Sequence, residues 1–147
     1  MVRSQRSDAV WVSVLVVGLV SQVLSAQTAP HTVSSTRDGV YTAEQAQQGK
    51  VIYQNQCGMC HGDALQGQGQ TSPLAGSKFL DRWTDLTAAD LFMKTIVMMP
   101  AMDPGTLKPK QAARVLSYIL RANKFPAGKK ELPADPLGLE AIRILKP

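Results

Sequence analysis

Apolar residues along the 147-residue chain recur with helical spacing in three separate segments, and no segment alternates as a strand would. The clearest segment opens with Pro109 at a first helical position. Ala112, Val115, Leu116, Ile119 and Leu120 follow at i, i+3, i+4, i+7 and i+8, a stripe one helix face wide, and Asn123 reads as its stop. A second helix has Thr87 as N-cap and Asp90 three residues on, with Leu86 and Leu91 placed as a hydrophobic staple. It runs through Phe92 and Ile96 and must end before Pro100. A third helix begins at Thr42 with Gln45 in capping-box position, passes Gln47 and Tyr53, and delivers Cys57 at its end. Gly49 inside it is a poor helix former, so it marks either close approach of another helix or a tolerated surface position. The Gly/Gln-rich stretch 62–76 is too polar for a core element and reads as an Ω-type loop. The pattern predicts an all-α fold.

The ends differ in kind. Arg3 and Arg6 precede an apolar run from Ala9 to Val20, and the stretch from Ser21 to Ala26 holds small residues. This is the layout of a secretory signal peptide over 1–26, and the run falls short of the roughly 20 residues that span a bilayer. Only if it stays uncleaved does it imply a membrane anchor. Residues 27–40 read as a flexible polar leader, 41–128 as the domain, and 129–147, rich in proline, as an extended tail. Leu139, Ile142 and Ile144 in that tail suggest that it straps against the domain. Without the first 26 residues, which hold Arg3, Arg6 and Asp8, the net charge falls from +5 to +4. That is too little to argue for nucleic acid. Export to the periplasm would place the chain in an oxidising compartment, where free thiols rarely persist.

Both cysteines lie in Cys57-Gly58-Met59-Cys60-His61, the C-x-x-C-H attachment pentapeptide of a c-type haem. Two intervening residues let both thiols reach the vinyl groups of one porphyrin, and His61 follows as proximal iron ligand. One pentapeptide implies one covalently attached haem c. A zinc site lacks a second Cys/His pair. A thioredoxin-type dithiol should open a helix after a strand, whereas this pair ends a helix. The second axial ligand is open at this level. His31 is the only other histidine, and Met98, Met99 and Met102 flank Pro100 in an interhelical loop. A thioether would favour ferrous iron and raise the potential, as suits an electron carrier.

At these residues the chain resembles class I cytochrome c, and within it the small monohaem domains associated with bacterial quinoprotein (PQQ) dehydrogenases. The matching pieces run in order from G-V-Y-T at 39–42 and Q-G-K-V-I-Y at 48–53 to C-G-M-C-H-G at 57–62 and P-L-A-G at 73–76. They continue through F-L-D-R-W at 79–83, M-M-P at 98–100, P-G-T-L at 104–107 and Y-I-L-R-A-N-K-F-P-A-G at 118–128. The resemblance implies a class I cytochrome c fold: three main helices around one covalently attached haem, with Ω-type loops. It implies thioethers at Cys57 and Cys60 and His61 as proximal ligand. Further implied roles are the Pro73 carbonyl as acceptor for the other His61 nitrogen, Leu74 against the porphyrin, and the Trp83 indole N–H on a propionate. Met99 aligns with the axial methionine, and the crowding of three methionines leaves Met102 as the alternative. Gly49 and Tyr53 are expected to meet Tyr118 where the first and last helices cross. Lys124 stands where relatives have Gly, which predicts a different end to the last helix.

The function that follows is single-electron transfer in the periplasm between a dehydrogenase-type donor and a downstream acceptor, through redox protein partners and without an enzyme activity of its own. A quinoprotein dehydrogenase is one such partner. The competing readings are a bound haem subunit of a dehydrogenase or oxidase complex, and a haem enzyme or gas binder with a labile Met ligand. From Pro104 to Lys130 no acidic residue occurs among seven Lys/Arg, which reads as a solvated face or as a basic surface steering an acidic partner.

Overall fold

The computed structural model describes residues 34–147. The expected signal peptide over 1–26, the first half of the expected leader and His31 lie outside them. The main helices are α1 (Ala43–Gln56), α4 (Ala88–Met98) and α5 (Pro109–Ala122). Short helices α2 (Gly58–His61), α3 (Ser77–Trp83) and α6 (Pro136–Glu140) complete the set. Two-residue strands β1 (Ser34–Ser35) and β2 (Ile142–Arg143) pair in parallel. Such a pair is too short to show alternation in the sequence. No helix among the described residues is long and apolar enough to cross a membrane.

The three expected helices form where their signals lie. All five stripe residues of α5 are buried, together with Tyr53, Phe79, Leu91 and Phe92 from other elements. Thr87 and Asp90 close a reciprocal capping box at the start of α4. The hydroxyl and backbone N–H of Thr87 hold the Asp90 carboxyl below its usual pKa. Any stability from that box is therefore lost as pH falls through this lowered value. Leu91 is buried but Leu86 stays 41% exposed, so the staple is open on one side.

Helix α1 lies against α5 at Gly49, where a Cβ would fall 1.8 Å from the Arg114 carbonyl oxygen. The rings of Tyr53 and Tyr118 meet at 5.2 Å between centroids, tilted 56°. The close-approach reading of Gly49 is therefore the right one.

Helix α5 ends as a glycine-terminated helix would, against the expectation from Lys124. Lys124 takes φ +69°, its N–H donates to Arg121 O at 3.0 Å, and the Phe125 N–H donates to Leu120 O at 3.2 Å. This is a Schellman closure, built with a side chain where Gly is preferred. Lys124 is exposed, so nothing clashes, and only the left-handed backbone costs about 1 kcal/mol. Lys124→Gly is expected to raise stability by up to ~1 kcal/mol in a urea titration, with an unchanged m value.

The two ends are more ordered than their polarity predicts. Residues 34–40 are not a flexible leader. Ser35 caps a 3-10 turn at Thr36–Asp38, and the fully buried Thr36 hydroxyl accepts from Leu145 N at 3.2 Å. Short polar side chains bonding to backbone produce this order, which composition reads as mobility. The tail is not simply extended either. Asp135 caps α6 by accepting from Gly138 N, with Pro136 at the first helical position. Leu132, Leu139, Ile142 and Ile144 are all buried. The tail straps the α3–α4 junction: Ile144 N donates to Leu86 O, and Asp85 N donates to Ile144 O.

The Thr42 cap is half a box. Thr42 accepts from Gln45 N, but the Gln45 side chain turns inward, donating to Leu132 O at 2.9 Å and accepting from Leu132 N at 2.8 Å. Gln45→Ala would leave both buried Leu132 groups unpaired and is expected to cost about 2 kcal/mol by chemical denaturation. Lys146→Ala removes the one ion pair among the described residues, with Asp81. Both partners are exposed, so the denaturation midpoint should not move measurably.

Candidate functional site

Helix α1 stops at Cys57, whose φ of −125° breaks the helix. Helix α2 restarts at once as a single turn, with His61 N donating to Cys57 O at 2.9 Å and Gly62 N to Gly58 O at 2.8 Å. Cys57, Cys60 and His61 thus stand at i, i+3 and i+4, neighbours on one face of that turn. The Tyr53 hydroxyl donates to Gly62 O at 2.6 Å and ties the turn back to α1. Both thiols are free, Cys57 half-buried and Cys60 exposed. Burial first, and Cys60 second, push the Cys57 thiol up to about 11. A dithiol-exchange cysteine works with a lowered thiol pKa, the direction opposite to this one. Among the described residues there is no group of three or more His, Cys, Asp or Glu that could hold a metal ion.

His61 is oriented by the loop that follows it. Its Nδ1 lies 2.9 Å from the Ser72 carbonyl oxygen. A carbonyl only accepts, so Nδ1 carries the proton and Nε2 keeps its lone pair for a metal. The acceptor is Ser72 rather than the expected Pro73, one residue earlier. Leu74 explains the offset. Its N–H donates to Leu65 O and its carbonyl accepts from Asn123, which turns the chain so that the carbonyl before the proline meets the ring. The proline also disfavours the α region for Ser72, holding it extended.

The loop itself is tightly wound. Gly67 N donates to His61 O, and Gly67 has φ +74°, where a Cβ would lie 2.3 Å from Thr71 O. Leu65, with φ +60°, is 2% exposed, and its carbonyl accepts from both Leu74 N and Ala75 N. A leucine in the left-handed region costs about 1 kcal/mol or more, and here the buried side chain and two hydrogen bonds hold it.

Trp83 and Met99 come from other elements, and no hydrogen bond joins them to His61. Trp83 ends α3, half-buried, its ring 6.3 Å from that of Phe79. Its indole N–H has no acceptor among the described residues, although a buried indole usually finds one. Met99 is the C-cap of α4 and is half-buried, with its N–H on Thr95 O, whereas Met102 is 90% exposed. Met93, Val97 and Met98 on α4 are also 42–56% exposed. A free imidazole lone pair, two unpaired thiols on the same turn and a spare indole donor fit the haem that the pentapeptide implies.

Sequence reading missed three residues of this site: Leu65, Ser72 and Asn123. Ser72 acts through its carbonyl, which every residue has. Leu65 is signalled only as a lone apolar residue in a polar loop. Asn123 was read as a helix stop, which it also is.

Comparison with known proteins gives one family. Residues 44–119 match the family model described as cytochrome c oxidase, cbb3-type, subunit III. No curated protein and no solved structure matches the chain.

Proposed function

Since this chain belongs to the cytochrome c family of cbb3-type oxidase subunit III, with an all-α class I cytochrome c fold and a haem-based electron-transfer role, we propose that it is a monohaem electron carrier of the periplasm. In this reading Cys57 and Cys60 would hold one haem c covalently, and His61 and Met99 would hold its iron. The observation that carries it is the single turn bearing Cys57, Cys60 and His61, with Nδ1 engaged by the Ser72 carbonyl.

Bound there, haem would supply a one-electron iron couple. The chain's own part is to fix the ligands. Ser72 sets the tautomer of His61 and restrains its ring. Met99 brings a soft thioether that favours the ferrous state. Trp83 would offer its N–H to a propionate, and the half-buried Leu74 would cover the porphyrin. The exposed lysines at 108, 110, 124, 129 and 130 suit a small transient interface with an acidic redox partner, a quinoprotein dehydrogenase being one candidate donor. Arg3, Arg6 and the apolar run from Ala9 to Val20 support export.

A second reading has a specific support. The matched family is described as an oxidase subunit, so the chain could serve as a resident haem subunit of a larger complex. Persistent copurification with partner subunits would favour it over a free carrier.

The test is spectral. The full chain is expressed with haem-maturation machinery, extracted with acid acetone, and examined oxidised and reduced. Haem that stays with the protein and low-spin spectra in both states are expected. Extractable haem would sink the covalent assignment, and a high-spin ferric spectrum would favour an open-site enzyme or gas binder.

A further inference from the structure

We propose that Asn123 is a positioning residue for the His61 ligand, acting at a distance through the segment Ser72–Gly76; this rests on the haem reading above. Asn123 caps α5 and is 4% exposed. A helix cap needs to satisfy only its own helix, and one Asn123 contact does so, Nδ2 to Ile119 O at 2.9 Å. The other two leave the helix. Nδ2 also donates to Leu74 O at 2.9 Å, and Oδ1 accepts from Gly76 N at 3.0 Å. Both amide hydrogens and one oxygen lone pair of this buried side chain are thereby used.

The segment is pinned at two points. Ser72 O meets His61 Nδ1 at one end, and Leu74 and Gly76 are bound to Asn123 at the other. Pro73 stands between, with its φ fixed by the ring. Leu74 has no slack, because its N–H is bound to Leu65 O. The Ser72 carbonyl is thus held at the imidazole by a side chain from the last helix. A firm acceptor at Nδ1 makes the imidazole a stronger donor through Nε2, which stabilises the more highly charged metal state. Loosening the segment weakens that donor and raises the reduction potential.

The test uses purified holoprotein in three forms: unmodified, Asn123→Asp and Ile119→Val. Asn123→Asp keeps the acceptor for Gly76 N but puts an oxygen against Leu74 O and Ile119 O. Ile119→Val weakens the same helix and leaves the Ile119 carbonyl, the Asn123 amide and the hydrogen bonds of the segment in place. NMR of the reduced protein reads hydrogen exchange at His61 Nδ1, and voltammetry reads the potential. We expect Asn123→Asp to speed that exchange on the order of tenfold, the worth of one lost hydrogen bond; the exchange decides, because the charge of an ionised carboxylate by itself lowers the potential. Ile119→Val should lower Tm and leave both readouts in place. If the two variants behave alike at His61, Asn123 is a helix cap only and the proposal fails.

Should Asn123→Asp not fold, the unmodified protein decides. The His61 Nδ1–H and Gly76 N–H are expected to exchange through one local opening of equal free energy, below global unfolding. Separate openings overturn the proposal. Haem lost to acid acetone would instead refute the haem reading itself, so the two failures are distinguishable.

Discussion

Met99→Ala is expected to abolish the methionine–iron charge-transfer band of the oxidised protein and to lower its reduction potential. The drop should be on the order of 0.1–0.3 V, a fraction of the ~0.8 V window that axial ligation spans. Met102→Ala should leave both in place. Restraint separates the two methionines. Met99 terminates α4, its N–H is bonded to Thr95 O at 3.2 Å, and it is half-buried beside Pro100. Met102 sits in the turn closed by Asp103 N on Pro100 O, with 90% of its surface in solvent. Ordering a free methionine side chain costs up to about 2 kcal/mol, a penalty the restrained residue has largely met on folding. Retention of the band in Met99→Ala, with loss in Met102→Ala, would move the ligand to Met102.

Gly49→Ala is the second large effect. Exposed helix positions gain up to about 1 kcal/mol from this change, because Ala is the better helix former. Here the added Cβ meets backbone, the Arg114 carbonyl oxygen at 1.8 Å and its carbon at 2.4 Å. Backbone cannot rotate away as a side chain can, so α1 and α5 must separate, and the pairing of Tyr53 with Tyr118 opens with them. A net loss of about 3 kcal/mol is expected, at the upper end of overpacking costs. For a domain of this size that is a fall in Tm on the order of 10–20 °C. Gln48→Ala, one residue earlier and exposed, should stay within about 0.5 kcal/mol. A neutral or stabilising Gly49→Ala would mean that the helices do not approach as described. Because α1 ends at Cys57, the same separation would displace the turn that bears the thiols and His61.

The elements that were legible in the sequence carry local signals. Thr42, Thr87 and Pro109 start helices by chemistry confined to one turn, and the α5 stripe follows from period alone. Asp135 and Pro136 carry the same kind of start signal, yet α6 was missed because the proline content of the tail outweighed it. Helix α3 was missed because Ser77–Trp83 is short and lacks a capping side chain at Gly76. The order of residues 34–40 was missed because it depends on Leu145, Ile142 and Arg143, more than a hundred residues away.

The sequence by itself determined the chemistry of this protein. Cys57, Cys60 and His61 lie within five residues, and a motif that closes on one helical turn needs no distant partner to be recognised. It also determined the all-α class, since helical hydrogen bonds and periodicities are local. Only the tertiary structure decided how the His61 ring is oriented and how the tail and the 72–76 segment are tied to the helices. The Ser72 carbonyl, the inward turn of Gln45 to Leu132, and the bonds of Asn123 to Leu74 and Gly76 join residues remote in the chain. Backbone carbonyls and buried amides have no sequence signature, because their partners are chosen by packing. The Lys124 cap shows the same rule from the other side: the helix end required a left-handed residue there, and packing imposed it on a lysine.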